Sequence, residues 1–211
     1  MISQNDMGNV RSVPGLHLFP TFPTSPFQGL YIINGSMLSQ GRPLVSATQI
    51  VKYAGRGFWA YDVAVGIFIK HLLDAAEKSG EAHRPWLSKA MSDWRVQAVV
   101  MERGFTIDER WSAEERDAFI AMAEQACAAI ATREFIPVAE IVGWPFVDDL
   151  RIFPRTAARE IRTAPIVELG RAMVALLFDR LPAAPRGEAW FFGTPDGRST
   201  IKMQPGWDGR W

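Results

Sequence analysis

The sequence predicts an α+β fold dominated by helices, a single domain with small antiparallel hairpins near its two ends. Three observations carry that expectation. Apolar side chains recur at helical spacing in four stretches between residues 59 and 180. Asn34-Gly35 lies between two apolar triplets, and Pro195-Asp196-Gly197 lies between two runs of strand-forming residues.

Residues 1–28 read as an irregular, proline-rich arm. Pro14, Pro20, Pro23 and Pro26 remove backbone donors and favour extended chain, while Phe19, Phe22 and Phe27 supply apolar contacts between them. The remainder, 29–211, reads as one globular domain with a helical core over about 46–180 and a C-terminal hairpin over about 188–203. Tyr31-Ile32-Ile33 and Ser36-Met37-Leu38 flank Asn34-Gly35, a pair suited to the positive φ angles of a type I′ hairpin turn. Ser46 to Ala54 is expected to form a short helix, capped by Ser46 and stopped near Gly55.

From Trp59 to Lys78 a helix is expected that is apolar on nearly all sides in its first turns, through Val63, Ile67, Phe68, Leu72 and Leu73. Such a helix has to be central. A second is expected from Pro85 to Glu102, with Leu87, Met91, Trp94, Ala98 and Met101 in its stripe and Pro85 in the first turn. A third begins at Ser112, where Ser112-Ala113-Glu114-Glu115 is a capping box. A short helix follows Pro137, another begins after Pro154, and a long one spans Pro165 to Arg180. Ala189-Trp190-Phe191-Phe192 and Ser199 to Met203 then flank the Pro-Asp-Gly turn.

Composition restricts the function classes. Lys plus Arg and Asp plus Glu number 23 each, so the 211-residue chain is formally neutral. A protein built to grip a phosphate backbone carries a basic excess or stripe, so nucleic acid is not the expected partner. Five lysines against 18 arginines, with abundant alanine, is the composition of a GC-rich coding sequence, which points to a bacterium. Cys127 is the single cysteine, so neither an intramolecular disulfide nor a thiolate metal cage is available. Residues 1–13 lack the apolar core of a secretory signal, and the most apolar run, Val63 to Leu73, is far shorter than the roughly 20 residues of a membrane span. A cytoplasmic protein without membrane attachment, cofactor or metal is expected.

No stretch carries an assembled catalytic motif. The histidines are His17 in the arm, His71 in the apolar helix and His83 in a polar loop, and no G-x-S-x-G or H-E-x-x-H pattern is present. Gly55-Arg56-Gly57 lacks the rest of a phosphate-loop signature and reads as a tight turn. Asp148 and Asp149 are adjacent and so do not face one another as an acid–base dyad, and Asp62 is placed to cap the following helix. The most suggestive charges are Arg151, Arg155, Arg159 and Arg162. The last three fall at i, i+4 and i+7 on the helix expected after Pro154, where forked guanidinium groups would meet carboxylates. Trp207 and Trp211, beside glycine and proline, add aromatic side chains of the kind that interfaces concentrate.

These readings favour a non-enzymatic protein that binds another protein. Its specific role is expected to be that of a bacterial immunity protein neutralising a toxin effector, with Arg151, Arg155, Arg159, Arg162, Trp207 and Trp211 as partner-binding residues. Two alternatives stand beside it. One is an enzyme with a dispersed site using Asp62, His71 or the Asp148 region with Arg155 or Arg159; it requires His71 or Asp62 at the base of a pocket. The other is a structural subunit whose 1–28 arm reaches a neighbouring chain.

Overall fold

Alternating burial between Thr48 and Tyr61 sets the first two elements. In the computed structural model, which describes residues 48–100, 104–148, 150–152, 154 and 156–207, strand β1 spans Thr48–Tyr53 and β2 spans Arg56–Tyr61. Gln49 and Val51 point inward from β1, and Phe58 and Ala60 from β2, a period of two that only a pleated strand satisfies. The two strands pair antiparallel with Tyr53 opposite Arg56, around a two-residue turn in which Ala54 and Gly55 both have positive φ, 48° and 72°. That is the turn twist a tight hairpin requires.

The short helix expected over Ser46 to Ala54 is therefore corrected to a strand. Thr48, Ile50, Val51 and Tyr53 have the β-branched and aromatic shapes that fit a half-buried pleated surface, and Gly55 serves the hairpin turn rather than a helix end. Gly55-Arg56-Gly57 is part of this hairpin, where a Cβ on Gly57 would sit 2.3 Å from the Val51 carbonyl oxygen. Trp59 likewise belongs to β2, opposite Ile50 on one side and Phe191 on the other, so the apolar helix starts three residues later than expected.

That helix, α1, spans Asp62–Lys78, and every residue from Val63 to Ile69 is buried. Burial around full turns means that α1 is enclosed by other elements. Helix α2 (Pro85–Val99), α3 (Ala113–Ala131) and α5 (Ala164–Leu177) all pack against it, as does the sheet. Helix α3 packs on α1 and α5 rather than on the sheet and so adds a second helical layer. It opens with the expected capping box: Ser112 Oγ accepts from Glu115 N at 3.2 Å, and Glu115 Oε2 accepts from Ser112 N at 2.8 Å.

The main sheet has five strands in the order β3-β1-β2-β8-β9, with β3 at Phe105–Thr106, β8 at Glu188–Thr194 and β9 at Gly197–Lys202. β3 is parallel to β1, β8 is parallel to β2, and β8 and β9 are antiparallel on either side of Pro195-Asp196. Strand and helix thus share one core in a mixed α+β fold. Gly193, with φ of 77°, lets β8 approach α1 so closely that a Cβ there would lie 2.5 Å from that of Ala64. The turn signal at Asn34-Gly35 and the proline-rich arm lie outside the described residues.

Two small antiparallel pairs complete the fold: β4 (Phe135–Pro137) with β7 (Glu160–Arg162), and β5 (Pro145–Val147) with β6 (Leu150–Arg151). Helix α4 (Val138–Gly143) joins β4 to β5. The helix expected after Pro154 is absent from the described residues there. Val138 N donates to the Arg159 carbonyl at 2.9 Å, and Thr163 N donates to the Glu134 carbonyl at 3.0 Å, so this backbone is committed to β4 across the chain. Thr163, 4% exposed, adds a hydroxyl donated to the Glu134 carbonyl at 3.1 Å. No helix among the described residues is long and apolar enough to cross a membrane.

Removing the α3 cap provides a check on this architecture. Ser112→Ala is expected to lower unfolding stability by about 1 kcal/mol, measured by urea denaturation, because the Glu115 N–H loses its acceptor.

Candidate functional site

The parallel pairing of β1 and β3 brings their C-terminal ends side by side, and α2 runs past those ends. Ile107 N donates to the Lys52 carbonyl at 3.1 Å, which carries the pairing one residue past β3 and holds the following loop against the β1–β2 turn. A cleft of about 430 Å³ opens there. Lys52, Tyr53, Ala54 and Gly55 form one wall, and Lys89, Asp93 and Gln97 form another. These three recur every four residues and so present one ridge of α2. The segment from Thr106 to Arg110 closes the third side.

A second cleft of about 350 Å³ adjoins it and shares Lys89, Asp93, Thr106, Asp108 and Arg110. Its far end is aromatic. Trp86 and Trp111 meet edge to face at 5.5 Å between ring centroids, and Trp111 continues onto Phe119 at 5.3 Å. Trp94, 1% exposed, locks this cluster into the core. Together the two clefts form one furrow along α2, polar at the Gln97 end and aromatic at the Trp86 end.

Local chemistry pre-sets the middle of the furrow. The Asp108 carboxylate accepts from Arg110 Nε at 2.9 Å, from Arg110 Nη2 at 2.7 Å and from Arg110 N at 3.0 Å. This forked contact, reinforced by the backbone bond, holds the Asp108 carboxyl down at about 2, well below its usual 3.8, and pushes the Arg110 guanidinium up. Lys89 and Asp93 pair one turn apart on α2. The furrow therefore offers both signs of charge side by side. Beneath it, Gln49 is 1% exposed and donates from Nε2 to the Gln97 carbonyl at 3.4 Å.

The residues singled out in the sequence lie elsewhere. Arg151 is on β6 and donates to the carbonyls of Val142 and Gly143 at 3.4 and 3.5 Å. Arg159 is exposed in a loop, and Arg162 is exposed on β7 opposite Phe135. No helix forms here among the described residues, so Arg159, in the loop, and Arg162, on β7, do not share the helical face expected after Pro154. Trp207 is half-buried beyond β9, its backbone N–H donating to the Gln204 carbonyl at 3.1 Å. Arg155, Trp211 and Asp149 lie outside the described residues.

Of the residues proposed for a dispersed active site, Asp62, His71, Asp148 and Arg159 line neither cleft. Asp62 opens α1, with its carboxylate accepting from Val63 N at 2.7 Å. His71 is half-buried on α1 with its ring edge toward Trp144 at 6.0 Å. Burial pushes its imidazole below the ordinary range, against the opposing pull of Asp74. Its Nε2 is buried and meets no hydrogen-bond partner among the described residues. The sequence reading passed over Asp108, Arg110 and the Lys89-Asp93-Gln97 ridge. The available signals were the every-fourth-residue polar spacing on α2 and a run of charge before the α3 cap.

The Asp108 contact has a measurable pH signature. Its folded-state carboxyl titrates lower than in the unfolded chain, so the contact stabilises the fold above the unfolded value of 3.8, and that contribution is lost as pH falls toward 2. Because both groups reach solvent, screening keeps the effect on stability small. Carboxyl chemical shifts followed through an acid titration are expected to place the Asp108 midpoint near 2, and Arg110→Ala is expected to return it toward the ordinary range. No protein family, curated protein or solved structure matches the chain.

Proposed function

We propose that the chain acts by binding another protein, that the furrow along α2 is its contact surface, and that the partner is a toxin effector it neutralises as a bacterial immunity protein in the cytoplasm. The observation that carries this reading is the side-chain chemistry of the furrow. Tyr53, Trp86, Trp111 and Arg110 are the residue types that supply most of the binding energy at protein interfaces. They stand beside oppositely charged pairs, Asp108 with Arg110 and Asp93 with Lys89.

Two further features support a protein rather than a polyanion as the ligand. The chain has no net charge, and the furrow sets Lys52, Lys89 and Arg110 among Asp93, Asp108, Glu109 and Glu115, with no basic excess. A surface of mixed sign selects partners by matching charge position, which suits recognition of one specific protein. Arg151, Arg159, Arg162 and Trp207 stand in this reading as outlying contacts. They are spread over two strands, a loop and the segment beyond β9, without the shared face that motivated them.

The test is capture of the tagged chain from its native lysate, read by mass spectrometry under non-denaturing conditions. One stoichiometric protein partner is expected, and co-expression of the chain is expected to protect cells from that partner's toxicity. Arg110→Glu combined with Tyr53→Ala is expected to weaken the complex by about thirtyfold or more, the loss typical of interface hot spots, without lowering the melting temperature to the assay range. Arg162→Glu is expected to leave affinity within about twofold, as ordinary rim charges do. A retained small-molecule mass with no protein partner would overturn the proposal.

A further inference from the structure

One cover of α1 is built differently from the others. The described residues from 144 to 152 lie along this helix. At one end Trp144 stands against His71, with the Lys70 ammonium 6.0 Å from the centre of its ring. At the other, the Ile152 side chain occupies the space that Gly66 leaves open. Residues 66 and 70 are one helical turn apart, so the segment follows one face of α1. Phe146 and Ile152 are buried, while Leu150 is 54% exposed. Among the described residues, β5 and β6 pair only with each other and take no place in the main sheet. Side-chain packing, and no described backbone ladder, holds this hairpin to α1.

His71 is the titratable group at this contact. Its Nε2 is buried and has no hydrogen-bond partner among the described residues. A neutral imidazole can leave a bare nitrogen there, whereas an imidazolium has to bury an N–H donor together with a charge. The charges that act on it are Lys70 and Asp74 on α1, Glu140 on α4, and Arg133 between α3 and β4. They cancel in pairs. Lys70 donates to Asp74, and Arg133 holds Glu140 through two bonds of 2.8 Å. A proton on His71 therefore adds a positive charge with no free carboxylate to meet it, beside an ammonium and an apolar ring.

We propose that His71 is an acid-operated latch, whose protonation releases Trp144 and the β5–β6 hairpin from α1 and uncovers the face of α1 between Gly66 and His71. The sheet, α3 and α5 keep the other sides of α1 enclosed, so the opening is local. The device is independent of what the furrow along α2 binds.

The direction of the switch follows from the burial. Desolvation holds the closed-state imidazole below its solvated 6.5, the pull of Asp74 notwithstanding. The closed form is therefore fully favoured above that value and loses ground as pH falls through it toward the lower, closed-state value. Each unit of the lowering makes opening about tenfold easier at the acid limit.

The test labels the intact chain with fluorotryptophan and follows its fluorine NMR spectrum from about pH 7.5 to about pH 4.5, a range in which the Asp108 contact stays ionised. Trp144→Phe identifies the Trp144 signal by its loss, and Trp94→Phe identifies that of the core residue Trp94. The Trp144 signal is expected to move toward its position in the unfolded protein, with the same midpoint as the His71 ring protons, while the Trp94 signal stays in place. His71→Gln and His71→Phe, which carry no titrating group at this contact, are each expected to abolish the movement. His83→Gln, which removes an exposed histidine beyond α1, is expected to leave it intact. A Trp144 signal that stays in place across the range overturns the latch. So does a movement that survives in either His71 variant, or one that the Trp94 signal shares.

Discussion

Helix α1 has to be surrounded, and the rest of the molecule is arranged to do that. Seven consecutive buried residues, Val63 to Ile69, leave no side of its first two turns for water. One neighbour cannot cover such a helix. The sheet, α2, α3 and α5 each take part, and close approach is achieved with missing side chains. Gly66 on α1 accepts the Ile152 side chain, Gly170 on α5 accepts the Phe68 ring, and Gly193 on β8 accepts Ala64. A methyl group at Gly193 or Gly170 would press on the Ala64 methyl or on the Phe68 ring and Cys127, whereas at Gly66 the end of the Ile152 side chain would have to turn away, so the enclosure depends on missing side chains as well as on hydrophobic area.

Enclosing α1 places the furrow. Because β1 and β2 form a hairpin immediately before α1, and β3 returns beside β1 after α2, the β1–β2 turn, α2 and the loop after β3 meet at one end of the sheet. α2 is committed to α1 through Leu87, Met91, Trp94 and Ala98, which turns Lys89, Asp93 and Gln97 toward the furrow. The core-facing stripe of one helix thus decides which polar side chains its other side presents. Trp94 and Trp111 link the two roles, since the same aromatic cluster stabilises the interior and floors the furrow.

Much of the helical part was legible because its signals are local. The α3 capping box needs only Ser112 and Glu115, and both bonds form. The unbroken apolar run of α1 announces burial without any knowledge of its neighbours. The misreadings share a physical cause. Thr48 to Tyr53 and Glu160 to Arg162 became strands because their backbone groups found partners at Arg56–Tyr61 and Phe135–Pro137, and a propensity read within one segment contains no term for a partner elsewhere. The arginine spacing that looked one-sided on a helix lost that meaning because Arg159 lies in a loop and Arg162 in a strand.

What the amino-acid sequence determined by itself is therefore the set of local commitments: a central all-apolar helix, capped and periodic helices around it, and turns where positive φ is accommodated. Tertiary structure decided which backbone edges met and which side chains converged. Asp108 beside Arg110 was present in the sequence as a pair two residues apart. Its place opposite Lys52 and Tyr53, and beside the Lys89-Asp93-Gln97 ridge, came only from the parallel pairing of β1 with β3. The reason is that hydrogen-bond pairing between distant strands is a property of the assembled chain, while capping, turn geometry and hydrophobic period belong to a few consecutive residues.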